Sequence, residues 1–319
     1  MISSRYNIGP GLYGTFENGR IEEYFDSVAL TASEIRDPQI SGWIAAQMAE
    51  LHSVDLSFID EIAFEGANSD ALDGLDPHAK RIEIARNIKT WFEPAQRVLH
   101  LPGVPESLQR ELDMGRFRSE WEKYLVWILG RPKSFGTRRV FAHNDAQYGN
   151  ILRLKEDLAV DKHRQVGFFG SLGWVNNRFK YQIIVVDFEY AAANPAAYDI
   201  ANHFHEWTTN YLGPSPHKFM PSKYPTPLER RNFYASYIKH SAPLARSDGD
   251  VNMLMDELDR DIEALTPASH AAGVLWGIIQ AREDILIGAV QPDFDYISYA
   301  RGRMAAFRRD LQKFGIIPH

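Results

Sequence analysis

A chain of 319 residues, 45% hydrophobic and 24% charged, can bury a substantial core and has room for two domains or one large two-lobed fold. A formal net charge of −7 argues against a nucleic-acid binder, which normally presents a basic face, and zero cysteines exclude disulfides, thiolate metal sites and a cysteine nucleophile. No basic segment leads into an apolar run at the N-terminus, and no stretch reaches the roughly 18 consecutive apolar residues of a membrane helix, so a cytoplasmic protein without a membrane span is expected.

Residues 12–25 read as two short strands joined at Glu17-Asn18-Gly19. Asp37-Pro38 opens a helix, because Asp can accept free N–H groups and Pro at the first helical position gives up no bond. Ile40, Ile44, Met48 and Leu51 follow at helical spacing. Residues 59–77, with Gly66, Asn68 and Gly74, read as a loop. Helices are expected over 78–99 and 107–129, the second closed by Gly130-Arg131-Pro132. Val140-Phe141-Ala142 leads into a polar turn and Ile151-Leu152-Arg153-Leu154 leaves it as a strand. Residues 155–180 read as a surface insertion and 181–186 as the returning strand. After a Pro-rich loop over 213–227, helices are expected over 228–240, 248–265, 269–288 and 296–314.

The turn holds the chemistry. His143-Asn144-Asp145 is followed by Asn150, five residues after the Asp, and Asp187 ends the apolar run Ile183-Ile184-Val185-Val186. Phosphoryl transfer needs a carboxylate to receive the acceptor's proton and oxygen ligands that hold Mg²⁺ against the phosphates of ATP. An H-x-D triplet alone is more simply a polar turn; the Asn at five residues and the Asp after the next strand favour a kinase loop. Asp145 is thus the candidate base, with His143 as a brace and Gln147 placed to position Asp145 or reach the acceptor. Asn150 and Asp187 are the expected Mg²⁺ ligands, and Glu189 adds a carboxylate beside them.

Asp187-Phe188-Glu189-Tyr190, Asn194-Pro195 and Asn202-His203-Phe204-His205-Glu206-Trp207, taken with the HNDxQxGN loop, resemble the choline/ethanolamine kinase family. The similarity runs from about Gly9 to the C-terminus. It implies an α+β, protein-kinase-like fold: a remnant of the N-terminal lobe and hinge over 1–25, and a mostly helical C-terminal lobe over 26–319. It also implies ATP-dependent phosphorylation of choline or ethanolamine, the entry step of phosphatidylcholine or phosphatidylethanolamine synthesis. Adenine would meet the hinge backbone at Glu22, Glu23, Tyr24 and Phe25, and a homodimer is compatible with the family.

A quaternary ammonium cannot donate a strong hydrogen bond and is held by aromatic faces with a carboxylate nearby. Each aromatic alone is better explained as core, but the resemblance places Tyr190, Glu206, Tyr211, Trp276 and Tyr299 around the amine. The family's helix after Ala268-Ser269-His270 commonly carries two tryptophans three apart; here the first is Gly273. Gln147-Tyr148-Gly149-Asn150 and the segment Tyr224–Pro227 resemble choline kinases, fungal ones in particular. Gly9–Gly14 matches G-x-G-x-x-G, but Pro10 removes an N–H that a phosphate cradle would use, and a turn is the simpler reading.

Ahead of the hinge-like segment no glycine-rich loop with a strand lysine is seen; the first lysine is Lys80. The expectation is a shortened relative with impaired nucleotide binding. Two alternatives stay open: another small-molecule kinase resembling the aminoglycoside phosphotransferases, and a catalytically dead relative that captures an amine.

Overall fold

A computed structural model describes residues 9–57, 74, 76–155, 181–245, 249–289 and 292–319. Most of the loop expected over 59–77, and the insertion after residue 155 up to 180, lie outside the described residues. Among those described, no helix is long and apolar enough to cross a membrane. The chain divides into two compact units. The first comprises Met1–Val54, Phe141–Ala191 and Pro225–Met255; the second comprises Asp55–Val140, Ala192–Tyr224 and Asp256–His319. This division runs across the boundary expected at residue 25, because the strands on either side of that residue belong to one unit.

In the first unit, β1 (Leu12–Phe16) and β2 (Gly19–Glu22) form the expected hairpin, with Leu12 opposite Glu22 and Phe16 opposite Gly19. Strand structure stops at Glu22 rather than reaching Phe25. Phe25 instead packs into a small core with Leu154, Ile184 and Val186. A strand the sequence did not suggest, β3 (Ser27–Ala29), pairs antiparallel with β5 (Ile151–Leu154), and β5 pairs antiparallel with β6 (Ile183–Val185).

Helix α1 (Pro38–Leu51) begins as expected: an Asp37 carboxylate oxygen accepts from the N–H groups of Gln39 and Ile40 at 2.8 and 3.1 Å. Gln47 on α1 donates to the carbonyl of Ile183 at 2.8 Å, which ties the helix to β6. Against α1 lies α6 (Pro227–His240), whose Ser236 donates to the Gly42 carbonyl at 2.6 Å. Thr226 and Glu229 close the N-terminus of α6 as a reciprocal capping box.

The second unit is mostly helical. It contains α2 (Glu83–Leu99), α3 (Glu106–Glu111), α4 (Met114–Leu129), α5 (Ala196–Glu206), most of α7 (Val251–Gln280), α8 (Arg282–Ile287) and α9 (Tyr296–Lys313). Strand β4 (Arg139–Ala142), which begins in this unit, pairs with β7 (Ala192–Pro195). Asn194 on β7 is buried and accepts from the Ile84 N–H at 2.9 Å, satisfying a free donor at the start of α2. The first N–H groups of α5 donate to the carbonyls of Arg138 and Gly136.

Two helix expectations are corrected. The helix expected over 107–129 is two, because Asp113 leaves the helical conformation and accepts from the Arg116 N–H at 3.0 Å, restarting the chain as α4. The helices expected over 248–265 and 269–288 are one helix through Pro267, broken only at Ala281. Proline inside a helix orphans the carbonyl four residues back. Here the Thr266 hydroxyl takes that carbonyl, of Glu263, at 2.8 Å, and the Tyr124 hydroxyl takes the next, of Ala264, at 2.9 Å.

Candidate active site

The polar turn between β4 and β5 is laced to the end of β6 by backbone and side-chain bonds within the first unit. The Val186 N–H donates to the Asn150 carbonyl at 2.9 Å, so the next residue, Asp187, is held beside the loop. His143 is fully buried; its Nε2 lies 2.9 Å from the Val186 carbonyl and its Nδ1 accepts from the Asp145 N–H at 3.2 Å. Both bonds are satisfied by a neutral ring protonated at Nε2. His143 therefore braces the loop, as its position in the motif suggested.

Asn150 donates through Nδ2 to Asp145 Oδ2 at 2.7 Å and to the Asp145 carbonyl at 3.0 Å. With its amide nitrogen committed there, Asn150 keeps its carbonyl oxygen for another partner. Among the described residues the two non-glycine positions with positive φ are Asn144, at 65°, and Asp187, at 63°. Asn and Asp tolerate this region best, yet each still carries strain, which concentrates at functional sites. Asn144 also donates to the Tyr190 carbonyl at 2.8 Å, closing the two turns onto each other.

Gln147 accepts from the Gly149 N–H at 3.3 Å, so its side chain is engaged in its own turn. Glu189 and Tyr190 are exposed. Of the hinge segment, Glu23 binds Gly11 through both backbone and carboxylate, Phe25 is core, Glu22 pairs with Arg20, and Tyr24 is 85% exposed. Arg20, given no role from the sequence, extends from β2 to within 3.9 Å of the Asp187 carboxylate. An arginine on a strand carries no sequence signal for this, since the pairing depends on a hairpin and a turn far apart in the chain.

A second group of expected residues gathers in the second unit. Glu206 ends α5 buried and accepts from the Tyr211 hydroxyl at 2.7 Å. Tyr211 lies 6.3 Å from Phe294, Phe294 lies 5.7 Å from Tyr299, and Tyr299 meets Trp276 edge-on at 5.7 Å. Glu206, Tyr211, Trp276 and Tyr299 thus form one connected cluster, whereas Tyr190 belongs to the first unit. Burial pushes the Glu206 carboxyl above its ordinary range, with the Tyr211 hydrogen bond and the charge of Arg303 working the other way.

Beneath this cluster His205 and His270 stack at 4.1 Å between centroids. Burial, reinforced by Arg303 and Arg309, holds both imidazoles well below the usual histidine range. Asp310 lies 3.5 Å from His270 and would favour its protonation, but desolvation at a fully buried ring outweighs one carboxylate whose own ionisation burial disfavours.

Residues 1–308 match the choline/ethanolamine kinase family. The chain belongs to that family. It is 32% identical over 304 residues to a probable choline kinase 2 of Arabidopsis thaliana, covering 95% of this chain and 69% of the relative. The choline kinase of Schizosaccharomyces pombe is 30% identical over 363 residues, covering 98% and 72%. The solved choline kinase of Cryptosporidium parvum Iowa II superposes with a TM-score of 0.69 at 23% identity, covering 99% of this chain and 78% of that one. The α+β, protein-kinase-like fold of these choline/ethanolamine kinases is the fold of this chain. A cavity of about 630 Å³ in the second unit, lined by Trp121, Tyr124, Ile128 and Phe135, includes none of the expected site residues.

Proposed function

We propose that this family member transfers the γ-phosphoryl group of ATP to the hydroxyl of choline or ethanolamine. The observation that carries the reading is the bond from Asn150 to Asp145 Oδ2. It fixes the orientation of the carboxylate that accepts the hydroxyl proton as the alcohol oxygen attacks phosphorus and ADP departs.

The residues fit Mg²⁺. The Asn150 amide oxygen and the half-exposed Asp187 carboxylate are hard donors, and Glu189 is an exposed carboxylate two residues on. No group of three or more His, Cys, Asp or Glu among the described residues forms a closed metal cage. Mg²⁺ is commonly bound through one or two protein oxygens and completed by phosphates and water. Bound there, Mg²⁺ would offset phosphate charge. The role left to the chain is to hold Asp145 oriented while His143 keeps the loop in register.

In the second unit, Glu206 and the rings of Tyr211, Trp276 and Tyr299 hold the ammonium group. Adenine meets the segment Glu22–Phe25, where Glu22 and Tyr24 are exposed. Gln147 supports the loop through its own turn. Family membership and the NHFHEW segment disfavour an aminoglycoside as acceptor.

The test is ADP release by the full chain with Mg²⁺-ATP and choline, ethanolamine or an aminoglycoside. Amine-dependent release that disappears in Asp145→Ala is expected. Nucleotide and amine binding without amine-dependent release would identify a non-catalytic binding protein instead.

A further inference from the structure

The α7 position at which the sequence departs from its family sits against a buried arginine. A Cβ placed on Gly273 would overlap Arg303 Nε and stand 3.1 Å from its Cγ and Cζ. Arg303, on α9, is 2% exposed. It donates to the carbonyl and hydroxyl of Ser269 at 2.7 and 3.0 Å, and its Nε has no hydrogen-bond partner. Its Cζ lies 5.6 Å from the ring centroids of both Tyr299 and Phe219. A permanent cation thus already uses part of the aromatic surface from which the amine site is built.

We propose that Gly273 and Arg303 together set amine selectivity, favouring a primary ammonium over a trimethylammonium head. This rests on the amine-binding role given above to Glu206, Tyr211, Trp276 and Tyr299. Both amines carry one positive charge, so repulsion from Arg303 acts on each alike. The difference lies in what offsets it. A trimethylammonium group has only aromatic faces and diffuse attraction to Glu206, and Arg303 competes for the first while weakening the second. A primary ammonium brings three N–H donors. Glu206 can accept them, since Tyr211 occupies only Oε2. Charge-assisted bonds in a desolvated site are stronger than neutral ones, so this compensation survives the resident cation. Gly273 is what admits Arg303: any side chain there would displace the guanidinium from its present position.

Calorimetric titration of the full chain with choline and with ethanolamine gives a ratio of dissociation constants insensitive to partial loss of folded protein. The wild type is expected to bind ethanolamine more tightly. Arg303→Met, which keeps length and loses charge, and Gly273→Ala, which pushes the guanidinium aside, should each move the ratio toward choline by about fivefold, while Arg303→Lys should hold it within about twofold. Tighter binding of choline by the wild type, an unmoved ratio in the Met and Ala variants, or an equal shift in the Lys variant would each overturn the proposal. Binding of neither amine by the wild type would instead remove the amine-site assignment on which it rests.

Discussion

The catalytic turns of the first unit and the aromatic–carboxylate cluster of the second are built on opposite principles. The turns are held by one backbone bond, Val186 to Asn150, and by the side chains of His143 and Asn144 bonded to backbone groups of Val186, Asp145 and Tyr190. Their reactive carboxylates stay within reach of solvent, and two residues sit in strained left-handed conformations. The cluster is held by side chains drawn from α5, α7 and α9, and its ionisable members are displaced from their ordinary protonation behaviour by burial. A site whose reactive carboxylates are not its braces can lose one of them and keep its shape. A site made of desolvated side chains couples binding, charge and stability.

The sharpest way to break this contrast is at Asp145. Asp145→Ala and Asp187→Ala should each lower turnover by about 10²–10⁴-fold, with little change in the unfolding transition. A variant keeping more than about a tenth of wild-type turnover would remove that residue from the machinery.

The next effect belongs to the cluster and is read in pH. His205 and His270 have folded-state pKa values below the unfolded value, so the unfolded chain binds more protons as pH falls below about 6.5 and stability is lost on acidification. Going from pH 7.5 to 5.5 should therefore lower stability, with both histidines contributing in the same direction. His205→Gln with His270→Gln should flatten that slope in thermal unfolding. An equal slope in the double variant would place its origin elsewhere.

Tyr211→Ala should weaken choline binding by about 0.5–2 kcal/mol, through loss of a ring face and of the bond to Glu206. Unchanged affinity by calorimetry would take Tyr211 out of the amine site. The smallest effect should come from Arg20→Gln. The pair with Asp187 is long and more than two-fifths exposed on both sides, so its loss should change unfolding stability by no more than about 0.5 kcal/mol. A larger loss would mean that charge, and not the hydrogen bonds of His143, Asn144 and Val186, holds the turns.

Particular residues show how far the chain could be read without its fold. Asp37-Pro38 announced α1, and the spacing from Asp145 to Asn150 announced a loop whose two ends do bond to each other. β3 escaped because three residues carry no detectable period; pairing with β5 makes it a strand. Two helices were expected either side of Pro267, and a threonine beside it together with Tyr124, distant in sequence, takes up carbonyls there so that one helix runs through.

Local order alone thus determined the catalytic turns, their family and the hairpin before them, because each depends on spacings of a few residues. Gly273 was visible as a gap, but its consequence was not. That required α9 to bring Arg303, thirty residues later, against α7 and under Tyr299. The same holds for the neutral state of His205 and His270 and the raised pKa of Glu206. Desolvation is a property of everything packed around a group, and only the folded chain supplies it.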